Sequence, residues 1–560
     1  MAATTLEAHM TSTQAAAPTG NGWERGRTHY DVIVVGCGPV GATLANYLGR
    51  AGWSVAILDR DTEVFPVPRA MGFDEETLRI LHDLDALQRI DDRGSICRYQ
   101  LDFVSPEGRV LIGPSVLGDS IDPQFTMTNG EFYPQNLVHQ PHAEEILRDD
   151  LVASPDVDLA LGFEVIEVAT GTERATAVVR ASSGGDEFTL SADYLIGCDG
   201  GRSMVRTAIG SERVDLGFSE DWLVVDADAD PDYYDTLPEG AIFVCDEDLA
   251  AVVCKGLHGH VRFDALRLDG KADFRDAAVE RDYTADSIEL IARHFDPSKF
   301  TITRQAPYRF YAGTSERWRR GRLFVAGDAA HQTPPFAGQG LNMGMRDAAN
   351  LAFKLDLVLA GRASPQLLDT YEEERKPACI ATIRGAVHNG GLIQTTNRWK
   401  IRLRNTIFFL ARHWMLAAKY LHVKGMRKPP YEHGLLGDGT GAGAPFPRCE
   451  VVDPDGTPRC IDDLIDARFG LITTTDFDGP TADRFGHDAN GQILRIGDQF
   501  NDAAGTIKRW LTKRDATAVL VRPDHYVFGV GDDPQRLCSQ LLEQLDPDHA
   551  GVKTAGASAS

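Results

Sequence analysis

Short apolar runs alternating with stretches of helical spacing organise the first half of the chain. Tyr30-Asp-Val-Ile-Val-Val35 is apolar at nearly every position, as a strand buried on both faces must be, and it stops at Gly36-Cys-Gly38-Pro-Val-Gly41. Ala42 to Arg50 then repeats its apolar positions with helical period, so the segment predicts strand, tight turn and helix. Runs of the same texture recur at Ser54 to Asp59, Tyr194 to Asp199 and Gly321 to Asp328, and each ends in an acid. A Gly/Pro-rich loop from Pro334 leads into a helix predicted over Asp347 to Leu359. Between Val214 and Ala312 the texture changes. Trp222 to Asp228, Ala241 to Cys245, Ala251 to Cys254 and His260 to Arg267 are short β-rich runs between turn residues, which predict a second sheet. Pro429-Pro430 and the Gly/Pro-rich stretch to Pro447 read as a linker. Beyond it, a strand from Phe469, a helix over Ala503 to Thr512, paired runs Thr517 to Arg522 and Tyr526 to Val530, and a closing helix to Leu545 predict a small C-terminal domain.

Charge and cysteine usage narrow the function classes. The formal charge of −25 argues against a general affinity for nucleic acid, which needs a basic face. Nine cysteines include no C-x-x-C pair, so neither a zinc site nor a dithiol centre is expected, no metal ligands are assigned, and a reducing cytoplasm is the expected location. Residues 1–28 lack the basic start and apolar core of a signal peptide and read as a disordered tail, as does the stretch from 547 to 560. The most apolar long helix, Asn405 to Val423, is interrupted by Arg412, His413 and Lys419 and reads as packed on the protein, not as a membrane span.

The first unit carries chemistry. Gly36 permits the turn, Gly38 lets the backbone approach a pyrophosphate, and Gly41 lets helix and strand pack closely, while the helix N-terminus offers N–H groups to the phosphates. Asp59, at the end of the second strand, is placed to accept hydrogen bonds from an adenosine ribose. Asp328 stands at another strand's C-terminal end, where ligands sit in open α/β sheets. No second strand-G-x-G-x-x-G-helix unit follows, since Gly437 to Gly443 runs into Ala444-Pro445, which argues against two-dinucleotide disulfide reductases.

Together and in this order, these segments resemble the single-component (class A) flavin-dependent aromatic hydroxylases, the FAD monooxygenases that include para-hydroxybenzoate hydroxylase and phenol hydroxylase. The likeness spans roughly residues 29 to 400. Pro68-Arg69-Ala70, His139-Gln140-Pro141, Trp222 to Asp226, Gly340 to Asp347 and Leu367 to Arg375 bring it nearest to the 3-(3-hydroxyphenyl)propionate hydroxylase branch. The resemblance implies an α/β fold with a Rossmann-like FAD-binding domain of glutathione-reductase type (residues 29–91, 129–213 and 313–428, with a helical extension). It also implies an interleaved β-sheet substrate domain (92–128 and 214–312), a linker (429–447) and a thioredoxin-like domain without C-x-x-C (448–546).

It further implies non-covalent FAD held by Gly36, Gly38, Gly41, Asp59 and Arg60, with Arg69 and Gln140 toward phosphate and ribityl and Asp328 on the ribityl chain. Asp199 would support FAD and admit NADPH or NADH, and Gly340, Leu341 and Asn342 would lie beside the flavin pyrimidine. Pro334 and Pro335 are placed against the oxygen-reacting side, with Tyr308, Arg262 and His258 as pocket candidates beside His260, Phe310 and Tyr311. The implied reaction is hydroxylation of a phenolic ring by O2 through a flavin C4a-hydroperoxide, in a homodimer or higher homo-oligomer by family expectation. Two alternatives remain at this point: a related flavin monooxygenase acting on a polyketide by hydroxylation, epoxidation or Baeyer–Villiger insertion, and a flavin-binding protein without turnover.

Overall fold

The computed structural model describes residues 27–98, 101–113, 136–247, 249–266, 282–413 and 428–546. Both predicted tails, much of 92–128 and the second half of the Asn405 to Val423 helix lie outside the described residues. Among the described residues no helix is long and apolar enough to cross a membrane.

The first sheet is built around β1 (His29–Val35), which pairs in parallel with β2 (Val55–Asp59) on one side and β3 (Phe188–Gly197) on the other. Val157–Leu161 extends it in parallel beyond β2, and Leu323–Val325 beyond β3. Val32, Ile33, Val34, Ala56, Ile57 and Leu195 are fully buried, which is why these strands are apolar without alternation. Three helices cover the sheet near the turn: α1 (Pro39–Arg50), α2 (Glu75–Asp83) and α3 (Gln140–Ala153). Pro39 suits the first position of α1, because its missing N–H has no partner there in any helix.

The second sheet has eight strands, and its long members are β4 (Arg213–Ala229), β5 (His260–Leu266) and β6 (Phe300–Ser315). β4 runs antiparallel to both others, with irregularities between Asp215 and Phe218 and between Asp226 and Ala227. Residues directly opposite share a face, so Glu220, Trp222, Val224 and Asp226 lie with Phe310, Tyr308, Ala306 and Arg304. Trp222 joins the core of the dinucleotide sheet, so this face looks toward β1. Leu223, Val225 and Phe263 point the other way, into a core shared with Leu290 and Ile291.

The helix predicted from Asp347 begins earlier: α4 spans Gly340–Leu359. Its first turn is fixed by Asn342, which is completely buried and donates its side-chain amide to the carbonyls of Gly72 and Gly338. α5 (Asp369–Ile393) and α6 (Arg398–His413) follow. The C-terminal sheet runs in the order Gly491–Arg495, Phe469–Thr473, Ala518–Val521, Val527–Gly531; the first pair is parallel and the others antiparallel. The helix predicted from Ala503 starts at Thr506, where the Asp502 carboxylate accepts from the backbone N–H groups of Thr506 and Lys508. Phe353 and Leu357 of α4 enter the core of this C-terminal unit, so it is packed on the body of the protein.

Candidate active site

Local sterics shape the dinucleotide end. Gly36 takes φ +99°, and a Cβ there would lie 2.5 Å from the Cys198 carbonyl oxygen. At Gly41 a Cβ would lie 2.0 Å from the Gly36 carbonyl oxygen, whereas at Gly38 it would meet nothing within 4 Å. Gly38 is the N-cap of α1 and has no side chain to cap it, so the helix's free N–H groups face an open cradle. Asp59 Oδ2 accepts from the Cys37 N–H at 2.7 Å, which ties the end of β2 to the turn, while Arg60 is exposed. The sequence reading missed Arg148 on α3. Its guanidinium is buried and donates to the Cys37 carbonyl at 2.9 Å, holding the turn from behind.

Asp199 lies just past the end of β3 and accepts from the N–H groups of Met204 and Val205 with one oxygen, while its other oxygen is buried with no partner. Asp328 follows Leu323–Val325 with its side chain open to the cleft, though protein surrounds it closely. Burial pushes its carboxyl above the usual range, against the opposing charges of His331 and Arg69. An open phosphate cradle, an orphaned carboxylate oxygen and a carboxylate facing the cleft fit the two ends and the polyol of FAD.

The flavin-side residues divide into those free to meet a ligand and those holding backbone. Gln140 accepts from the N–H groups of Arg69 and Ala70 and donates to Glu144, so it clamps the 69–70 segment. Arg262, a candidate for the substrate pocket, is instead ion-paired with Asp264 at 2.9 Å and donates to the carbonyls of Pro68 and Arg69. A guanidinium so occupied positions the same segment from the second sheet. Asn342 likewise accepts from Asp74 N–H and the Thr77 hydroxyl, which leaves Gly340 and Leu341 to present the start of α4. Arg69 has its backbone in the clamp and its guanidinium exposed, 4.5 Å above the Phe65 ring.

Tyr308 is 43% exposed on the inward face, 4.7 Å from the Phe310 ring. Burial raises its phenol, and the Asp328 charge raises it further. Pro334 is buried and Pro335 half-buried; the next residue, Phe336, packs on Trp222 at 5.4 Å. Tyr311 pairs with Ser219 on the outward face, away from this strip. His258 sits exposed at a hairpin turn with φ +57° and gathers with His139 and His142, at 5.2 and 5.4 Å between ring centres. His260 pairs with Asp226 at 3.1 Å.

Behind the Pro334 loop lies a buried cluster the sequence did not announce. His331 bonds Asp347 at 2.7 Å, and Arg375 donates to Asp347 and to the Cys379 sulfur. His331, Asp347 and Cys379 offer metal-like atoms within 4.8 Å of one another, but the Arg375 guanidinium already serves two of them. Burial opposes the His331 charge, yet Cys379 and Asp347 outweigh it and the imidazole is pushed up to about 10. The cluster is an ion-pair brace for the loop, with a fixed cation where a metal would have to enter.

A parallel sheet with one dinucleotide cradle, covered by an antiparallel sheet whose aromatic face meets the Pro334 loop, defines a flavoprotein monooxygenase. Comparison with known proteins agrees: residues 29–386 match the family model described as FAD binding domain, and 443–546 match the HcaD C-terminal domain. The chain belongs to the FAD-binding family of class A flavin-dependent aromatic hydroxylases and uses FAD with NAD(P)H. It is 33% identical to a probable NADH-specific resorcinol 4-hydroxylase of Rhodococcus jostii, over 92% of this chain and 95% of that one. It is 29% identical to a 3-(3-hydroxy-phenyl)propionate/3-hydroxycinnamic acid hydroxylase of Klebsiella pneumoniae, over 94% and 97% of the two chains. Among solved structures, the anhydrotetracycline hydroxylase OxyS of Streptomyces rimosus superposes with a TM-score of 0.72 at 25% identity, covering 93% of this chain and 99% of that one. The flavin-dependent monooxygenase PieE, solved with FAD and substrate, shares the fold at a TM-score of 0.75 and 24% identity, covering 92% and 99%.

Proposed function

We propose that the chain hydroxylates a small phenolic ring, consuming NAD(P)H and O2 and releasing water, with a resorcinol or a hydroxyphenyl acid as the class of substrate. The observation that carries this reading is the inward strip of Trp222, Tyr308 and Phe310 beside the Pro334 loop, apolar enough to stack a single ring and polar at Tyr308. FAD, when bound, takes hydride from NAD(P)H and activates O2. Gly36, Gly38, Gly41 and Asp59 would hold its adenosine diphosphate half, Asp328 its ribityl hydroxyls, and the first turn of α4 its pyrimidine edge. The protein's own part is to orient the phenol against the loop and to exclude water with Phe336, Trp222 and Phe310.

Residues 29–91, 129–213 and 313–428 would form the FAD-binding domain, and 92–128 and 214–312 the substrate domain, an assignment supported by the two separate sheets. For 448–546 we read a thioredoxin-like fold, supported by a parallel strand pair followed by two antiparallel strands with helices between them. Burial pushes the thiols of Cys449, Cys460 and Cys538 up to about 12, so this unit carries no thiolate for redox work. We place the enzyme in the cytoplasm.

The test is a panel of resorcinols, hydroxyphenyl acids and polycyclic phenols, read by NAD(P)H oxidation and product analysis. A true substrate should accelerate NAD(P)H oxidation roughly tenfold or more over the enzyme alone, by biasing the flavin toward the state that meets nicotinamide, and give near-stoichiometric product. Failure of every phenol to be hydroxylated would sink the reading. A preference for the polycyclic members would move the substrate toward the natural-product class.

A further inference from the structure

Glu220 lies on β4 between Phe218 and Trp222, on the face that looks toward the dinucleotide sheet, directly opposite Phe310 of β6. Both strand neighbours on that face pack their rings on Phe336, at 5.7 Å from Phe218 and 5.4 Å from Trp222. The carboxylate therefore emerges among aromatic rings beside the Pro334 loop. Its polar company is small. Gln394, just past the end of α5, donates its side-chain amide to Glu220. The Trp222 indole N–H, fully buried on the same face, is the other group that hydrogen-bonds toward the Glu220 carboxylate, and with Gln394 it opposes the effect of burial.

Glu220 lacks the cation that accompanies Asp221, Asp226 and Asp264 in this sheet. Asp221 pairs with Arg309, Asp226 with Arg304 and His260, and Asp264 with Arg262. Among the described residues no Lys, Arg or His pairs with Glu220. A half-buried carboxylate without a countercharge is unfavourable in the folded state, and burial accordingly pushes it above the usual carboxylate range. A raised carboxyl is a better base, which narrows its distance from a phenol of pKa about 10.

We propose that Glu220 is the proton acceptor for the substrate's hydroxyl group. A phenol entering between Trp222, Phe310 and Phe336 donates its O–H to the Glu220 carboxylate. As the phenolic O–H bond breaks, a carboxyl O–H bond forms, and the electron pair stays on the phenolic oxygen and enriches the ring at its ortho and para carbons. The Gln394 amide and the Trp222 N–H steady the carboxylate. After oxygen transfer Glu220 returns its proton to the phenolic oxygen, and the hydrogen on the newly hydroxylated ring carbon leaves as a proton to solvent, its C–H electron pair restoring the aromatic ring. This role rests on the hydroxylase reading above.

The experiment compares wild type and Glu220→Gln as FAD-loaded enzymes, measuring hydroxylated product per NAD(P)H consumed. It spans a series of phenols, from unsubstituted to halogen- and nitro-substituted rings, over a range of pH. For weakly acidic phenols the variant's product yield should fall by roughly 10²-fold, the size of a lost general base. It should recover with the more acidic phenols and at higher pH, where the substrate ionises unaided, and Glu220→Asp should recover it in part. Equal product yields in wild type and variant across the series would overturn the proposal, as would a loss that no phenol acidity or pH repairs. So would failure of the variant to retain FAD, because a base at the substrate end has no part in holding the cofactor. If wild type itself hydroxylates no phenol, the hydroxylase reading falls and this role falls with it.

Discussion

Gly38 and Gly41 stand three residues apart and answer to different forces. Gly41 is required by protein against protein, since its Cβ would lie 2.0 Å from a backbone oxygen that cannot swing aside. Gly38 has an ordinary φ of −76° and open space around its missing Cβ, so its smallness serves whatever enters the cradle. Gly38→Ala should therefore leave the flavin-free protein within about 1 kcal/mol of wild-type stability while weakening FAD, and Gly41→Ala should fail to reach a stable fold. Thermal denaturation with and without FAD separates the two. Asp328→Ala removes charge-assisted hydrogen bonds of about 1.5 to 3 kcal/mol each, so FAD should bind roughly 10 to 100 times more weakly by fluorescence titration. Wild-type affinity in that variant would count against Asp328 as the ribityl ligand.

At the scale of elements, the joint between α2 and the C-terminal unit is built of buried charge. Arg79 donates to Asp462 and to the Phe446 carbonyl, and Arg346 of α4 pairs with Asp74 and Glu76 at the start of α2. Arg522 and Lys354 both hold Glu374. Burial alone would raise Asp462, but the Arg79 guanidinium outweighs it and holds the carboxyl down at about 2. A depressed carboxylate contributes stability that is fully present above its unfolded pKa of about 3.9 and lost as pH falls toward its folded value. The joint should accordingly loosen between about pH 4 and pH 2, with proteolysis near Pro447 as the readout, and Asp462→Asn should flatten that acid limb. Arg79→Met leaves a buried carboxylate with Arg448 and His525 beside it, and should cost about 3 kcal/mol in denaturant unfolding, the low end for a broken buried pair. No change in unfolding midpoint would show the pair to be idle.

On the scale of the whole molecule, the C-terminal unit packs on the helices behind the flavin loop. Phe353 of α4 meets Phe469 of the C-terminal sheet at 6.1 Å, and Tyr526 stacks on Tyr431 at 4.2 Å while its hydroxyl bonds Glu76. Replacing Cys449, Cys460 and Cys538 together by Ser should leave product formation within a few-fold of wild type, since all three thiols are pushed up to about 12. A well-folded triple variant that no longer reduces its flavin would reveal a thiol function that the packing gives no sign of.

The cradle was legible because its causes are local. A run of buried apolar residues, a turn needing glycine and a helix start lie within Tyr30 to Arg50, and every steric reason for them lies in adjacent segments. The same holds for Asp59, Asp199 and Asp328, since an acid at or just past the end of an apolar run is itself a sequence property. The face of the second sheet was not legible, because a period of two leaves both faces of β4 equivalent until pairing with β6 and packing on Phe336 choose one. That choice turns Trp222, Tyr308 and Glu220 inward and Tyr311 outward. Arg262 read as a substrate contact only until Asp264, Pro68 and Arg69 closed around it, and Arg148 carried no motif at all. Arg79 and Asp462 lie 383 residues apart, so their pairing depends on how two separately cored units dock. Sequence by itself determined the dinucleotide fold, through local sterics and hydrogen bonding, and its resemblance to the aromatic hydroxylases implied the flavin chemistry; tertiary structure alone decided which polar groups stay free for a substrate, because long-range packing determines which ones the protein itself has already paired.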